Sequence, residues 1–371
     1  LNTSVTPGSE PVHVLIGSYT ERLGHSVGGG PGVMLVRVDA DGRLSPVGEP
    51  VMVRNASYVS VNAAGDRAYA SSEIVDFNGT DDGCVTVLEV DAKNGSLRTL
   101  QQVGSQGVGP AWTRPTADGR YLLTANYLAG NAVVSALGVD GRVGEPTAIL
   151  PHVGTGPDAS RQEGPHPHAA LTSPDGRWLY VVDLGIDEVV GYQLDADGRA
   201  KRVDAAGATL PAGTGPRHAV WSRDGNFMYV DLELSSEIAV LRYQAEDGGL
   251  WVEQVISSLA SPDMHAGQAS HPSEIAVSPD GKYVVVGNRG PDVLSSFAVD
   301  EASGKLSPIA DTPTGKTPRN FAFCGPSLVV LAEQDAHRLT SFHFDADTGI
   351  LEPTGQRLDV MSPCFVCPLP G

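Results

Sequence analysis

His168, Arg217, Glu233 and Arg289 stand out in this chain of 371 residues because, brought together, they would form a reaction centre. An imidazole titrates close to neutral pH and moves protons in either direction. Planar guanidinium groups grip carboxylate or phosphate through paired hydrogen bonds and stabilise a developing oxyanion. A glutamate among them orients the imidazole or a guanidinium, or relays a proton. The set describes a small anionic substrate handled by acid–base chemistry. It requires an architecture that carries residues 168 and 289 to one place.

Such an architecture is written in a repeat. Turn tetrapeptides recur as NAAG at Asn62, TADG at Thr116, SPDG at Ser173, SRDG at Ser222, SPDG at Ser278 and a degenerate CGPS at Cys324, 46 to 57 residues apart. Each precedes a β-rich run such as RYLLTAN or RWLYVVD, a polar link, and a second run such as VVGYQLD. Another turn containing Asp and Gly, and a last apolar piece, complete the unit. Four short antiparallel strands joined by tight turns account for this pattern. A period of this length with four strands per unit predicts a β-propeller blade. Six full units and one split unit predict seven blades. HVLIGSYT and GVMLVRVDADGRLSPV supply the later strands of the split blade, and SPCFVCPLP its innermost strand. The whole chain, 1–371, then reads as a single all-β domain closed by pairing its ends, with residues 1–10 as a loosely ordered extension. A pair of β-sandwiches is the competing fold, but a sandwich requires no such period.

In a propeller, the loop leading into the innermost strand and the loop between the second and third strands open on the same face of the disc. The position five residues before each tetrapeptide reads Ser57, Ala111, His168, Arg217, Ser273 and Arg319. The position eleven after its first residue reads Glu73, Tyr127, Leu184, Glu233 and Arg289. The scaffold stays apolar while these slots carry titratable groups, and function lives in such grafted positions. Any single charge here has a structural alternative, an ion pair between blades. Recurrence at two matching slots on one face favours a site, with Arg319, Tyr127, Glu73, His218, His271 and His166 as candidate substrate-binding residues.

Other chemistries find less support. His166 and His168 share a face at strand spacing, and Glu163, His218, His265 and His271 extend a possible metal set. Pro167 between the two histidines and the neighbouring arginines oppose it, so no metal is expected. No nucleotide-binding glycine fingerprint, GxSxG or HExxH occurs. The four cysteines are too few for a disulfide scaffold, and Cys364 and Cys367 form a CxxC without a second pair. A net charge of −19 repels nucleic acid and anionic membrane surfaces, and no apolar run approaches the roughly 18 residues of a membrane span. Sequons at Asn2, Asn55, Asn78 and Asn94 leave both a cytoplasmic and a secreted location open. Long insertions at residues 21–31, 77–83, 154–164 and 257–270 are rich in Gly, Ser and Asp, and long loops in a compact scaffold are often functional.

GPHPHAALTSPDG, GTGPRHAVWSRDG, VDLELSSEIAVLRY, SEIAVSPDGKYVVVGNRGPDVLSSFAVD, TPRNFAF and TANYLAGNAVV together resemble the seven-bladed lactonase family. That family includes a bacterial class of 6-phosphogluconolactonase and the fungal 3-carboxy-cis,cis-muconate lactonizing enzyme. The likeness covers nearly the whole chain and is strongest from Gly164 to Phe323. It implies a cofactor-free enzyme acting on a small anionic lactone or a lactone-forming carboxylic acid. It also implies His168, Arg217, Glu233 and Arg289 as the catalytic set, the four residues that the spacing selects. The family holds both hydrolases and a cyclase, so hydrolysis stands beside ring closure. A propeller whose mouth only binds a peptide or carbohydrate, or a metal-dependent hydrolase, are the rival classes.

Overall fold

The computed structural model describes residues 11–371. The expected N-terminal extension over residues 1–10 and the sequon at Asn2 lie outside the described residues. Seven four-stranded antiparallel sheets form the blades of a β-propeller. Blades 2 to 7 use consecutive strands, starting at Ala56, Pro110, Pro167, Pro216, His271 and Pro318. Blade 1 is the split one. Its innermost strand is Pro363–Pro368, followed outward by Val12–Ser18, Val33–Val38 and Leu44–Val51. Pairing of Leu15 with Cys367 and Ile16 with Val366 closes the ring, as the two terminal runs of sequence predict. The innermost edge of blade 1 is tied to blade 7, where Val366 N–H donates to Asn320 Oδ1 at 2.8 Å.

The second strand of each blade is largely buried on both faces because both are covered by neighbouring sheets. Trp178–Asp183 and Phe227–Leu232 are buried along their full lengths. A repeated hydrogen bond sets how one blade leans on the next. The hydroxyls of Tyr69, Tyr121, Tyr180, Tyr229 and Tyr283 donate to the backbone carbonyls of Gly141, Ala196, Gly248, Gly304 and Asp347 at 2.7 to 3.1 Å. Each acceptor lies in the turn between the third and fourth strands of the following blade. Blade 7 has no tyrosine there; Ser341 Oγ instead donates to the Gly42 carbonyl of blade 1 at 2.7 Å.

One irregularity recurs in every blade and positions the site. The register between the first and second strands slips by a bulge at Ser57, Ala111, His168, Arg217, Ser273 and Arg319, and at Cys364 in blade 1. A bulged residue has no partner across the ladder, and its side chain is re-aimed. In six blades the residue before it is proline: Pro110, Pro167, Pro216, Pro272, Pro318 and Pro363. Proline, lacking an N–H, is tolerated at the start of a strand and beside a bulge. The bulges fall at the slot before each turn, the slot that carries His168, Arg217 and Arg319.

Candidate active site

Six of the seven bulges direct their side chains into a cavity of about 380 Å³ at one end of the central channel. His168, Arg217, Glu233 and Arg289 all line it, as do Glu73, Tyr127, His218 and Arg319. The two slots of a blade are joined by the backbone. Glu233 N–H donates to the Gly215 carbonyl at 2.8 Å, and Tyr127 and Glu73 repeat the bond to Gly109 and Asn55 at 2.9 and 3.0 Å. Ser273 and Leu184 occupy equivalent slots but are fully buried and stay out of the cavity. The floor is aromatic: Tyr58 packs on Trp112 and on Phe365 with ring centroids 4.1 Å apart in both pairs.

Glu233 is the hub of the charge. Its Oε2 lies 2.9 Å from Arg217 Nε, without a straight hydrogen bond, and 3.1 Å from Arg289 Nη2. Its Oε1 accepts from Arg161 Nη2 at 2.8 Å. Burial alone would raise this carboxyl, but Arg289, Arg217 and Arg161 override it and hold Glu233 well below the usual carboxylate range. Arg217 is anchored further by Nη1 donating to the Ser273 carbonyl. Arg289 donates from Nε to the His271 carbonyl at 3.1 Å and from Nη2 to the Pro272 carbonyl at 3.0 Å. Burial, with Arg217 and Arg319 nearby, pulls the Arg289 guanidinium down to about 10.

His168 is held neutral. Burial first, then the charge of Arg217 and the neighbouring His218, push its imidazole well below the ordinary histidine value. Tyr127 and His218 meet the ring edge-on, with centroids 5.4 and 5.0 Å away. His168 Nδ1 is buried with no hydrogen-bond partner among the described residues. On the opposite wall, Arg319 Nη2 donates to the Tyr19 hydroxyl at 2.8 Å, which donates to Glu73 Oε2 at 3.0 Å. Burial raises the Glu73 carboxyl against the pull of Arg319. Beneath His218, its Nδ1 stands 3.2 Å from Glu274 Oε2, a carboxyl that burial lifts to about 7.

His166 and His271, expected at the substrate, stand behind the wall of the cavity. The His166 ring stacks on Tyr127 with centroids 4.4 Å apart, its Nδ1 lies 2.9 Å from the Tyr127 carbonyl, and its N–H donates to Asp183. His271 Nδ1 is 3.4 Å from the Glu233 carbonyl, and its own carbonyl receives Arg289. Both brace lining residues. The possible metal set is split: His166 pairs with Glu163 at 3.3 Å, His168 lies beside His218, and His265 pairs with Asp311 at 3.4 Å. Among the described residues, no three potential ligands form a metal-sized cluster.

Spacing missed several lining residues. His25 and Arg161 come from the insertions at 21–31 and 154–164, where length alone was the signal. Burial, aided by Arg319 and Arg289, takes His25 down to about 3. Cys364 lines the cavity as the bulged residue of blade 1, and the proline before it was the available clue. Cys364 and Cys367 are buried free thiols, both pushed upward by desolvation, Cys367 to about 12.

A ring of seven four-stranded blades with a charged, histidine-bearing cavity at one mouth defines a propeller with the apparatus of an enzyme. The chain belongs to the family described as lactonase, 7-bladed beta-propeller, whose profile matches residues 13–368. It is 31% identical to the 6-phosphogluconolactonase of Bacillus subtilis over 95% of this chain and 96% of that one. It is 26% identical to the 6-phosphogluconolactonase of Formosa agariphila over 94% and 96% of the two chains. Among solved structures, the periplasmic gluconolactonase of Pseudomonas aeruginosa superposes with a TM-score of 0.87 at 30% identity, covering 97% of this chain and 99% of that one.

Proposed function

We propose that this cavity hydrolyses the ring ester of a small anionic lactone, with no cofactor. His168, neutral in its desolvated setting, takes a proton from water while the water oxygen attacks the lactone carbonyl carbon. Arg217 and Arg289, fixed by Glu233 and by backbone carbonyls, stabilise the oxyanion that forms. Collapse breaks the bond between the acyl carbon and the ring oxygen, and the imidazolium returns its proton to that oxygen. The product is a hydroxy acid, which ionises and releases one proton.

The observation that carries this reading is the imbalance of charge around a neutral imidazole. Arg161, Arg217, Arg289 and Arg319 line the cavity against two carboxylates, Glu233 and Glu73, the first held ionised by the guanidinium groups and the second raised by burial. The surplus of guanidinium suits a phosphorylated or carboxylated lactone over a neutral one. The names of the relatives support a lactone of the gluconate type. The test is proton release in weakly buffered solution with a pH indicator, against aldono-, phospho- and muconolactones. Turnover of a phosphorylated aldonolactone is expected, with His168→Ala losing a factor of about 10² to 10⁴ while its circular dichroism spectrum is unchanged. Full activity in that variant would remove His168 from the chemistry.

A further inference from the structure

We infer that Arg161 selects for the substrate's anionic group, by exchanging its partner Glu233 for that group when substrate enters. The inference rests on the proposed lactone site and names the residue that reads the substrate's charge. The four guanidinium groups of the cavity are not equivalent. Arg217 is 4% exposed and Arg289 17%, and both are bound to backbone carbonyls of blade 6. Arg319 is held by the Tyr19 hydroxyl and lies over that ring, 5.5 Å from its centroid. These three belong to strands and have settled partners.

Arg161 differs in each respect. It is carried by an inserted loop, its side chain is 37% exposed, and only Nη2 is engaged, with Glu233 Oε1 at 2.8 Å and the Tyr127 hydroxyl at 3.4 Å. Its Nε and Nη1 make no hydrogen bond among the described residues, which leaves donors in the planar fork that grips phosphate or carboxylate. The loop beside it is fixed. Gln162 is fully buried, and its amide donates to the Leu184 carbonyl at 2.9 Å and to Asp187 Oδ1 at 2.8 Å. Its backbone N–H donates to the Asp158 carbonyl at 2.7 Å. A change of partner at Arg161 is therefore a side-chain rotation about an anchored backbone.

The exchange has a second effect. When Arg161 leaves, Glu233 keeps Arg217 and Arg289 on Oε2 while Oε1 loses its bond and becomes free to accept from a substrate hydroxyl. An anionic substrate thus prepares its own acceptor. A neutral lactone has no group with which to draw Arg161 away, and meets Oε1 still bound to Arg161.

The experiment compares wild type, Arg161→Ala and Arg161→Lys on glucono-δ-lactone and its 6-phosphate, measured as kcat/KM. The preference for the phosphorylated over the neutral lactone is expected to fall at least tenfold in Arg161→Ala and by less in Arg161→Lys, with the change mainly in KM. An equal loss on both lactones would overturn the inference. Calorimetric titration with 6-phosphogluconate and with gluconate gives a readout that needs no turnover. The ratio of their affinities should fall at least tenfold in Arg161→Ala, and an unchanged ratio would overturn the assignment of Arg161 even if wild type hydrolysed neither lactone. Absence of hydrolysis by wild type, with that ratio nevertheless shifted, would sink the hydrolase reading and leave the anion site standing.

Discussion

In the proposed reaction His168 can act as a base only while unprotonated, and its surroundings decide how far into acid that condition lasts. Burial and the adjacent Arg217 depress its proton affinity below the ordinary value of 6.5. Rate governed by this group is retained above its depressed pKa and lost as pH falls through it. The acid limb of kcat/KM should therefore lie below pH 6.5, and a limb at or above that value in a pH–rate profile would mean that another group limits the reaction. Glu233 does not compete for this role, because three guanidinium groups keep it ionised far below the same range. The division follows from surroundings: a desolvated imidazole is kept neutral by nearby positive charge, and the same charge keeps a desolvated carboxylate ionised. Residue types and their two slots made this pair legible before the fold was known. Arg161 was not legible, since an inserted loop carries no repeat against which an unusual residue stands out.

At the scale of the element, the bulge on six of the seven innermost strands turns a strand position into a cavity position, Ser273 being the exception. Recurring turns and β-rich runs identified the strands, and the slots fell where they belonged, but the bulges were invisible to that reading. The prolines ahead of them were the local sign. The bulge at His168 is held in place by the second-strand turn below it: a Cβ on Gly185 would stand 1.9 Å from the Gly164 carbonyl oxygen and 2.8 Å from the His166 nitrogen. Backbone cannot yield as the end of a flexible side chain can. Gly185→Ala is expected to cost about 1 to 3 kcal/mol of stability and to lower kcat/KM by displacing the segment that leads into His168. Gly164→Ala is the control, because a Cβ there meets nothing within 4 Å. Denaturant unfolding and steady-state kinetics on both variants check the pair, and equal behaviour would refute the role of Gly185.

For the whole molecule, the ring is as strong as its closure. The strand Pro363–Pro368 is the innermost of blade 1, pairs with Val12–Ser18, and contributes Cys364 and Phe365 to the cavity. It is stitched to both neighbours, through Asn320 of blade 7 and the Ala56 carbonyl of blade 2. Removing residues 363–371 would expose the unpaired edge of Val12–Ser18 and open the hub, conditions that favour aggregation. The truncated chain is expected to be insoluble or to lose its cooperative thermal transition, and a soluble variant with the wild-type transition would show that closure by this strand is dispensable. The tyrosine latches make the same point at five of the seven seams, each a hydrogen bond worth about 0.5 to 1.5 kcal/mol.

From the linear chain alone, turn chemistry and β-rich runs determined the strands, their recurrence determined the seven blades, and two fixed offsets singled out His168, Arg217, Glu233 and Arg289. Those features are local or periodic, and local or periodic information survives in one dimension. Tertiary structure decided that His166 and His271 brace the wall, that Arg161 and His25 reach into the cavity from inserted loops, and that Cys364 completes the ring of bulges. These outcomes depend on how loops of unrelated sequence close over a shared mouth, and on burial, which exists only once the blades have packed against one another.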